Sequence, residues 1–418
     1  MKELLRQAWY DMRHQPVIGI VTVIGTALAM FLIMVVVMMD QVKYASFPPE
    51  SNRHLTLYGK YLDIRSLTED NSASGAMKLA VARRLFENLE NAEATAIYNA
   101  WESTAAINVP GVPTSERYMK QTNGGFWKVF NFRFLYGGPY AEGDEGKAVI
   151  TSSVAREMFG REDVVGQTVA VDHRPYMVAG VVEDVTPLAE YAFGEVFVPA
   201  RESADERQWD TGSYSAAAKA RTEEDLLALR REIRARFKAY DRELHARGQQ
   251  LVDHGAPYDH EEAVSARWSN CDTELEQDRR TRLWIYVILL LLPALNLSSM
   301  TQSRLKRRTT EIGVRRAFGS SRLRIVGSLI SENFIITLAG AVIGLLLSLI
   351  FGYFFSELIF SDLDIDRVPD VSLSMVMNWS VFGMALLFCF LLNLLSSGIP
   401  AWRASRVNPV EAINGFYK

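Results

Sequence analysis

Cysteine is almost missing from this chain: its 418 residues include only Cys271 and Cys389. Cys271 falls in a polar stretch and Cys389 in an apolar one, so the two are not expected to pair and no disulfide framework holds the fold. A phosphate-binding loop is also lacking. The nearest look-alike, Gly146-Lys147, has Ala141 in place of the upstream glycine and Ala148 in place of the following serine or threonine. ATP hydrolysis is therefore not expected on this chain, nor is a cofactor or a catalytic residue. No Gly-x-Ser-x-Gly elbow points to a hydrolase. His245, His254 and His260, with Glu261 and Glu262, match no zincin spacing and lie in a polar linker, so no metal site is expected.

Charge is unevenly spread. Residues 40–281 hold 39 acidic and 29 basic side chains, a net of −10, and the remainder holds 10 and 16, a net of +6, giving −4 for the whole. An acidic water-soluble insert on a basic, apolar base excludes nucleic acid as the partner. The apolar base is expected to form four membrane spans at 17–39, 283–303, 325–351 and 377–399, each near the ~20 residues that cross a bilayer. The first exceeds the usual core of a cleavable signal and has no small-x-small site after it, so it is expected to remain as a helix. Residues 1–16 have an amphipathic pattern suited to the cytoplasmic interface. Pro293 with Asn296 marks an expected kink in the second span, and Gly340 with Gly344 a small-residue contact in the third.

The fold class is thus a membrane protein with an α-helical transmembrane domain of four helices and an α+β extracytoplasmic domain at 40–281. That domain reads as two β-α-β halves: strand 54–60, helix 77–89 and strand 94–103, then strand 213–220, helix 222–244 and strand 262–269. Together they predict a ferredoxin-like split sheet. In the second helix, Thr222 caps an acidic first turn, and Leu226, Leu229, Ile233 and Phe237 form one stripe. Between the halves, 106–200 alternates short strands with turns. It has a helix at 153–159 stopped by Gly160, and a hairpin of 168–171 with 176–182.

The most informative stretch is basic. Arg304, Lys306, Arg307, Arg308, Arg315, Arg316, Arg322 and Arg324 accompany one acid, Glu311, so the loop at 304–324 should stay cytoplasmic. It holds a short helix with Thr310 as expected cap, Glu311 at the positive end, Val314 and Phe318 on one face, and Gly319 to end it. Glu332, the lone acid of the third span, is expected to be a polar tie to this loop. The loop at 352–376 is acidic and external, and the tail at 400–418 carries Trp402, Arg403 and Arg406 at the inner interface.

The order Thr-Glu-Ile-Gly-Val-Arg-Arg-Ala-Phe-Gly-Ser-Ser-Arg from Thr310 to Arg322 resembles the coupling-helix signature of the MacB/FtsX family of ABC transporter permeases. The strings 126–139, 149–160 and 165–184 resemble its MacB periplasmic core domain, and 400–413 its C-terminal tail. The resemblance implies that Glu311, Ile312, Gly313, Val314, Arg315, Arg316, Ala317, Phe318 and Gly319 dock on a separate ABC ATPase subunit, which binds ATP and magnesium. It also implies porter segments at 45–105 and 201–275, a sabre insertion at 106–200 of mixed α/β structure, and a helical shoulder at 352–376. Further implied are a second permease subunit, alike or related, and a bacterial inner-membrane location with both termini cytoplasmic. Periplasmic or outer-membrane proteins are additional partners of some members. The expected function is mechanotransmission driving export or extrusion. The alternative is an FtsX-like regulator of a cell-wall enzyme or a subunit of a lipoprotein-releasing complex.

Overall fold

The computed structural model describes residues 16–202, 209–354 and 379–406. The expected amphipathic helix at 1–15, the shoulder from 355 onward and the tail beyond Arg406 lie outside the described residues. The chain divides into two compact units, residues 43–278 and residues 1–42 with 279–418. Helix α1 (Pro16–Tyr44) leads from the second into the first.

Unit 43–278 begins with β1 (Thr56–Gly59) and β2 (Leu62–Ser66), which act as one strand broken at Lys60 and Tyr61, and β3 (Ser72–Met77) folds back on β2. Helix α2 (Leu79–Phe86) and β4 (Ala92–Asn99) follow. After the inserted lobe come β12 (Thr211–Gly212), β13 (Tyr214–Ala220), helix α4 (Glu223–Ala246) and β14 (Gln249–Leu251). Here β14 pairs with β2, β1 with β13, and β13 with β4, all antiparallel, which is the strand order of a ferredoxin-like split sheet. Both helices cover one face of it. Leu85 and Phe86 of α2 and Leu229, Ile233 and Leu244 of α4 share a core with Leu57, Ile64 and Ile97. Gly59 is required beneath α2, because a Cβ there would stand 2.3 Å from the Phe86 ring. The Thr222 side chain accepts the Asp225 N–H and starts α4.

The last strand differs from expectation. Residues 262–269 do not form a strand; the fourth strand comes earlier, at β14, and an isolated bridge joins Tyr58 to Tyr258. Residues His260–Ser265 form a short helix, α5, because Asp259 and Glu262 make a reciprocal capping box.

The inserted lobe contains β5 (Ser103–Asn108), β6 (Ser115–Thr122), β7 (Phe134–Gly137), β8 (Lys147–Thr151), helix α3 (Ser152–Phe159), β9 (Thr168–Val171), β10 (Arg174–Val182) and β11 (Val196–Pro199). The pairings β5-β6-β11-β8-β10-β9-β5 return to their start, so six of these strands close into a barrel. Ile107, Ile150, Val169, Val178 and Val196 fill it. Asp172 and His173, both at positive φ, make the tight turn between β9 and β10, and the Asp172 carboxylate accepts the Ala106 N–H at 2.9 Å.

The second unit contains α1 together with helices α6 (Leu275–Arg307), α7 (Thr309–Ala317), α8 (Arg322–Phe354) and α9 (Trp379–Ala404). Among the described residues three stretches are long and apolar enough to cross a membrane: Gly19–Tyr44, Arg322–Gly352 and Leu387–Ala404. The remaining expected span, 283–303, lies within α6, and the side chains of Pro293 and Asn296 lie outside the described residues.

Helices α1 and α8 meet at the small residues. A Cβ on Gly340 would lie 2.7 Å from Thr26 Cβ, and one on Gly344 only 2.4 Å from the Ala27 carbonyl oxygen. The helices bury more polar groups than their apolar composition leads one to expect. Thr26, Thr337 and Ser348 return their hydroxyls to carbonyls three or four residues back. Asn393 of α9 donates to the Ile330 carbonyl of α8 at 3.3 Å.

Two tests follow from this packing. Gly344→Leu should separate α1 from α8 and cut the yield of folded protein in detergent, whereas Gly327→Leu, exposed and with open space around it, should leave the yield unchanged. In the other unit, His260 is buried, its Nε2–H donates to the Lys43 carbonyl at 2.9 Å, and its Nδ1 has no hydrogen-bond partner among the described residues. Burial pushes its pKa down to about 4, with Arg53 adding to the effect. The folded chain resists protonation there and the unfolded chain does not, so this site's stability is complete above the unfolded value and lost as pH falls to about 4. The loss is on the order of 3 kcal/mol. His260→Gln should therefore flatten the fall in melting temperature between pH 7 and 4 relative to the wild type.

Candidate functional site

Helix α7 is bounded tightly at both ends. One residue, Arg308, separates it from α6, and the four residues 318–321 separate it from α8. Thr310 does not cap it. The helix starts at Thr309 with Arg308 in the cap position, because the chain leaves α6 with a single residue to turn in. The Thr309 hydroxyl instead donates back to the Lys306 carbonyl at 2.8 Å. At the other end Gly319 has φ +87°, Ser320 N–H donates to the Arg315 carbonyl and Gly319 N–H to the Arg316 carbonyl. These paired bonds form the Schellman arrangement that a left-handed glycine allows.

Arg308 is the centre of the polar contacts. Its Nε and Nη2 donate to the two carboxylate oxygens of Glu311 at 2.8 and 3.2 Å, and its Nη1 donates to Glu332 of α8 at 2.5 Å. Arg308 and Glu332 are both largely buried, their side chains 14% and 5% exposed. A charge pair so enclosed is costly to break from one side, on the order of 3–5 kcal/mol. Arg315 donates to Glu311 at 2.6 Å, and Arg316 to the Ser405 carbonyl just past α9 at 3.2 Å. Partial burial alone would raise the Glu311 pKa, but the hydrogen bonds and charges of Arg308 and Arg315 outweigh it and hold the carboxyl below its usual range.

Beneath these contacts lies an apolar seat. Ile312 is buried against Leu305 of α6, Ile325 and Leu329 of α8, and Ala401 of α9. Gly313 is also buried, while Val314 and Ala317 are exposed. Phe318 is 88% exposed, and so is Leu323 at 85%. Most of the expected stretch is therefore divided by role: Ile312 and Gly313 face the helix bundle, Glu311, Arg315 and Arg316 brace it, and Val314 and Phe318 are presented outward. Two residues were missed by the pattern. Arg308 was one of eight cations in the segment, marked out only by standing three residues before the sole acid. Leu323 lay beyond the glycine that ends the helix.

A family model for the FtsX-like permease C-terminal domain matches residues 283–409, and one for the MacB-like periplasmic core domain matches residues 19–236. Among curated relatives, the uncharacterized ABC transporter permease YknZ of Bacillus subtilis is 22% identical over 70% of this chain and 68% of its own length. The macrolide export ATP-binding/permease protein MacB 2 of Aeromonas hydrophila is 24% identical over 72% of this chain and 45% of its own. The pyoverdine export ATP-binding/permease protein PvdT of Pseudomonas syringae is 23% identical over 69% and 41%. The chain thus spans about two thirds of YknZ and less than half of these two ATP-binding/permease proteins. The solved extracellular domain of YknZ from Gram-positive bacteria overlays 46% of this chain and all of that one, at 14% identity and a TM-score of 0.32. With the periplasmic-domain model covering half of the sequence and the permease model the membrane end, the chain belongs to the MacB/FtsX family of ABC transporter permeases.

Proposed function

We propose that this chain is the membrane subunit of an ABC transporter in which a separate ATPase chain, binding ATP and magnesium, drives movement of an extracytoplasmic domain and thereby exports a substrate. The reading includes four spans per subunit, a homodimer or related heterodimer, and an outer domain built of porter and sabre parts. The names of two relatives, macrolide and pyoverdine export proteins, favour extrusion of small molecules.

One observation carries the proposal: a short helix that is apolar and exposed on one side is bound on the other by a buried ion pair to a membrane helix. Phe318 and Val314 offer a soluble partner something to grip. Arg308 then links whatever displaces α7 to Glu332 on α8, and Arg316 links it to the end of α9. With so few connecting residues, α7 cannot move far without taking α6 and α8 with it. Continuous helices α1 and α6 lead from the membrane unit to the other unit, so tilting them would move it.

Reconstituted with its cognate ATPase, Phe318→Asp should lower association by about tenfold or more while leaving the permease folded, since that ring is exposed. Unchanged association would remove the docking role. Glu332→Gln should retain association yet lose stimulation of ATP hydrolysis, and the same loss in Arg308→Gln, with no further loss in the double variant, would locate the defect in the pair. Topology has its own check: in intact cells of a Cys271→Ser background, which removes the exposed native thiol, a membrane-impermeant maleimide should label a cysteine placed at Ser213 and fail to label one at Ser320. The opposite pattern would invert the orientation proposed here.

A further inference from the structure

At one end of the six-stranded barrel the strand termini surround a cleft of about 560 Å³, within the range of cavities that hold small organic ligands. Ser103 opens β5 there, Gln121 and Val198 stand near the ends of β6 and β11, and Val171 and Arg174 flank the turn between β9 and β10. The floor is apolar, made by Val171, Tyr176 and Val198 of the barrel core.

Most polar groups of the wall are already engaged with one another. The Tyr214 hydroxyl accepts the Arg201 N–H at 3.0 Å and donates to Gln121 Oε1 at 2.6 Å. Asn99 accepts the Gln121 N–H at 2.9 Å and donates to the Trp101 carbonyl at 2.6 Å. Among the acids, Asp172 is held by the Ala106 N–H, and Glu102 interacts electrostatically with the buried Lys120 ammonium. Glu202 is exposed at the rim. The arginines are less fully used. Arg201 lies 5.5 Å over the Tyr176 ring and gives Nη2 to the Glu145 carbonyl at 2.9 Å, but its buried Nε has no hydrogen-bond partner among the described residues. Arg174 is exposed at the lip and forms no ion pair among the described residues.

We propose that this barrel mouth binds a small organic anion, with an aromatic or aliphatic body against Tyr176, Val171 and Val198 and a carboxylate or sulfonate between Arg174 and Arg201. Guanidinium groups suit planar acids because their paired N–H donors match two oxygens at once. The preformed wall leaves few groups to be ordered on binding.

The test is calorimetric titration of naphthoate into the full chain in nanodiscs of zwitterionic lipid, with empty discs as the blank. Saturable binding of one molecule per chain is expected, with the cation naphthylmethylammonium bound at least about tenfold more weakly. Arg174→Gln should weaken naphthoate binding about tenfold or more, the effect of losing a charged hydrogen bond, with an unchanged melting temperature showing that the variant is folded. Heat no greater than the blank up to millimolar naphthoate, equal affinity for the cation, or full affinity in Arg174→Gln would each overturn the assignment. No ATPase is needed, so this result stands apart from that of the coupling experiments.

Discussion

The membrane unit turns on a single guanidinium. Arg308 reaches forward to Glu311 in the next turn and across to Glu332 on another helix, so three helices are joined where the chain has almost no spare length. Placing a carboxylate in an apolar helix is expensive, and leaving it unpaired is more so. Glu332 therefore constrains where α7 can sit, and Ile312 packs into the apolar seat that this position creates. The exposed Phe318 and the braced Arg315 and Arg316 follow from that placement.

Much of this could be read from residue order alone because the signals were strong and local. Long uncharged runs mark membrane helices, Gly319 marks the end of a helix, and Thr222 with three acids marks the start of one. The two β-α-β halves were legible for the same reason, since Leu229 and Ile233 recur at helical spacing on an otherwise polar helix. The errors arose where short-range and long-range signals compete. Residues 262–269 contain strand-compatible side chains, yet Asp259 and Glu262 satisfy each other's backbone amides and commit the segment to a helix. A strand of three residues, Gln249–Leu251, offers too little pattern to be seen without its partner Leu62–Ser66. Barrel closure depends on β6 meeting β11 across more than seventy residues, which no local period encodes.

Within the membrane unit the balance of forces differs from that in the other unit. Lipid supplies no hydrophobic reason for two apolar helices to associate, so contact relies on close approach and on polar groups that hydrocarbon leaves without alternatives. Gly340 and Gly344 provide the first against Thr26 and Ala27, and Asn393 with the Ile330 carbonyl provides the second. Most of the remaining hydroxyls are returned to their own helices, so they do not require a continuous hydrated path.

Because the inserted lobe closes β6 onto β11, every strand of its ring has a paired neighbour on each side. A neighbouring protein cannot extend that ring by adding a strand of its own, the route by which open sheets so often recruit peptides or aggregate. A companion that recognises the ring itself must read side chains on its outer wall or at its rims, and can then detach without unzipping a backbone ladder.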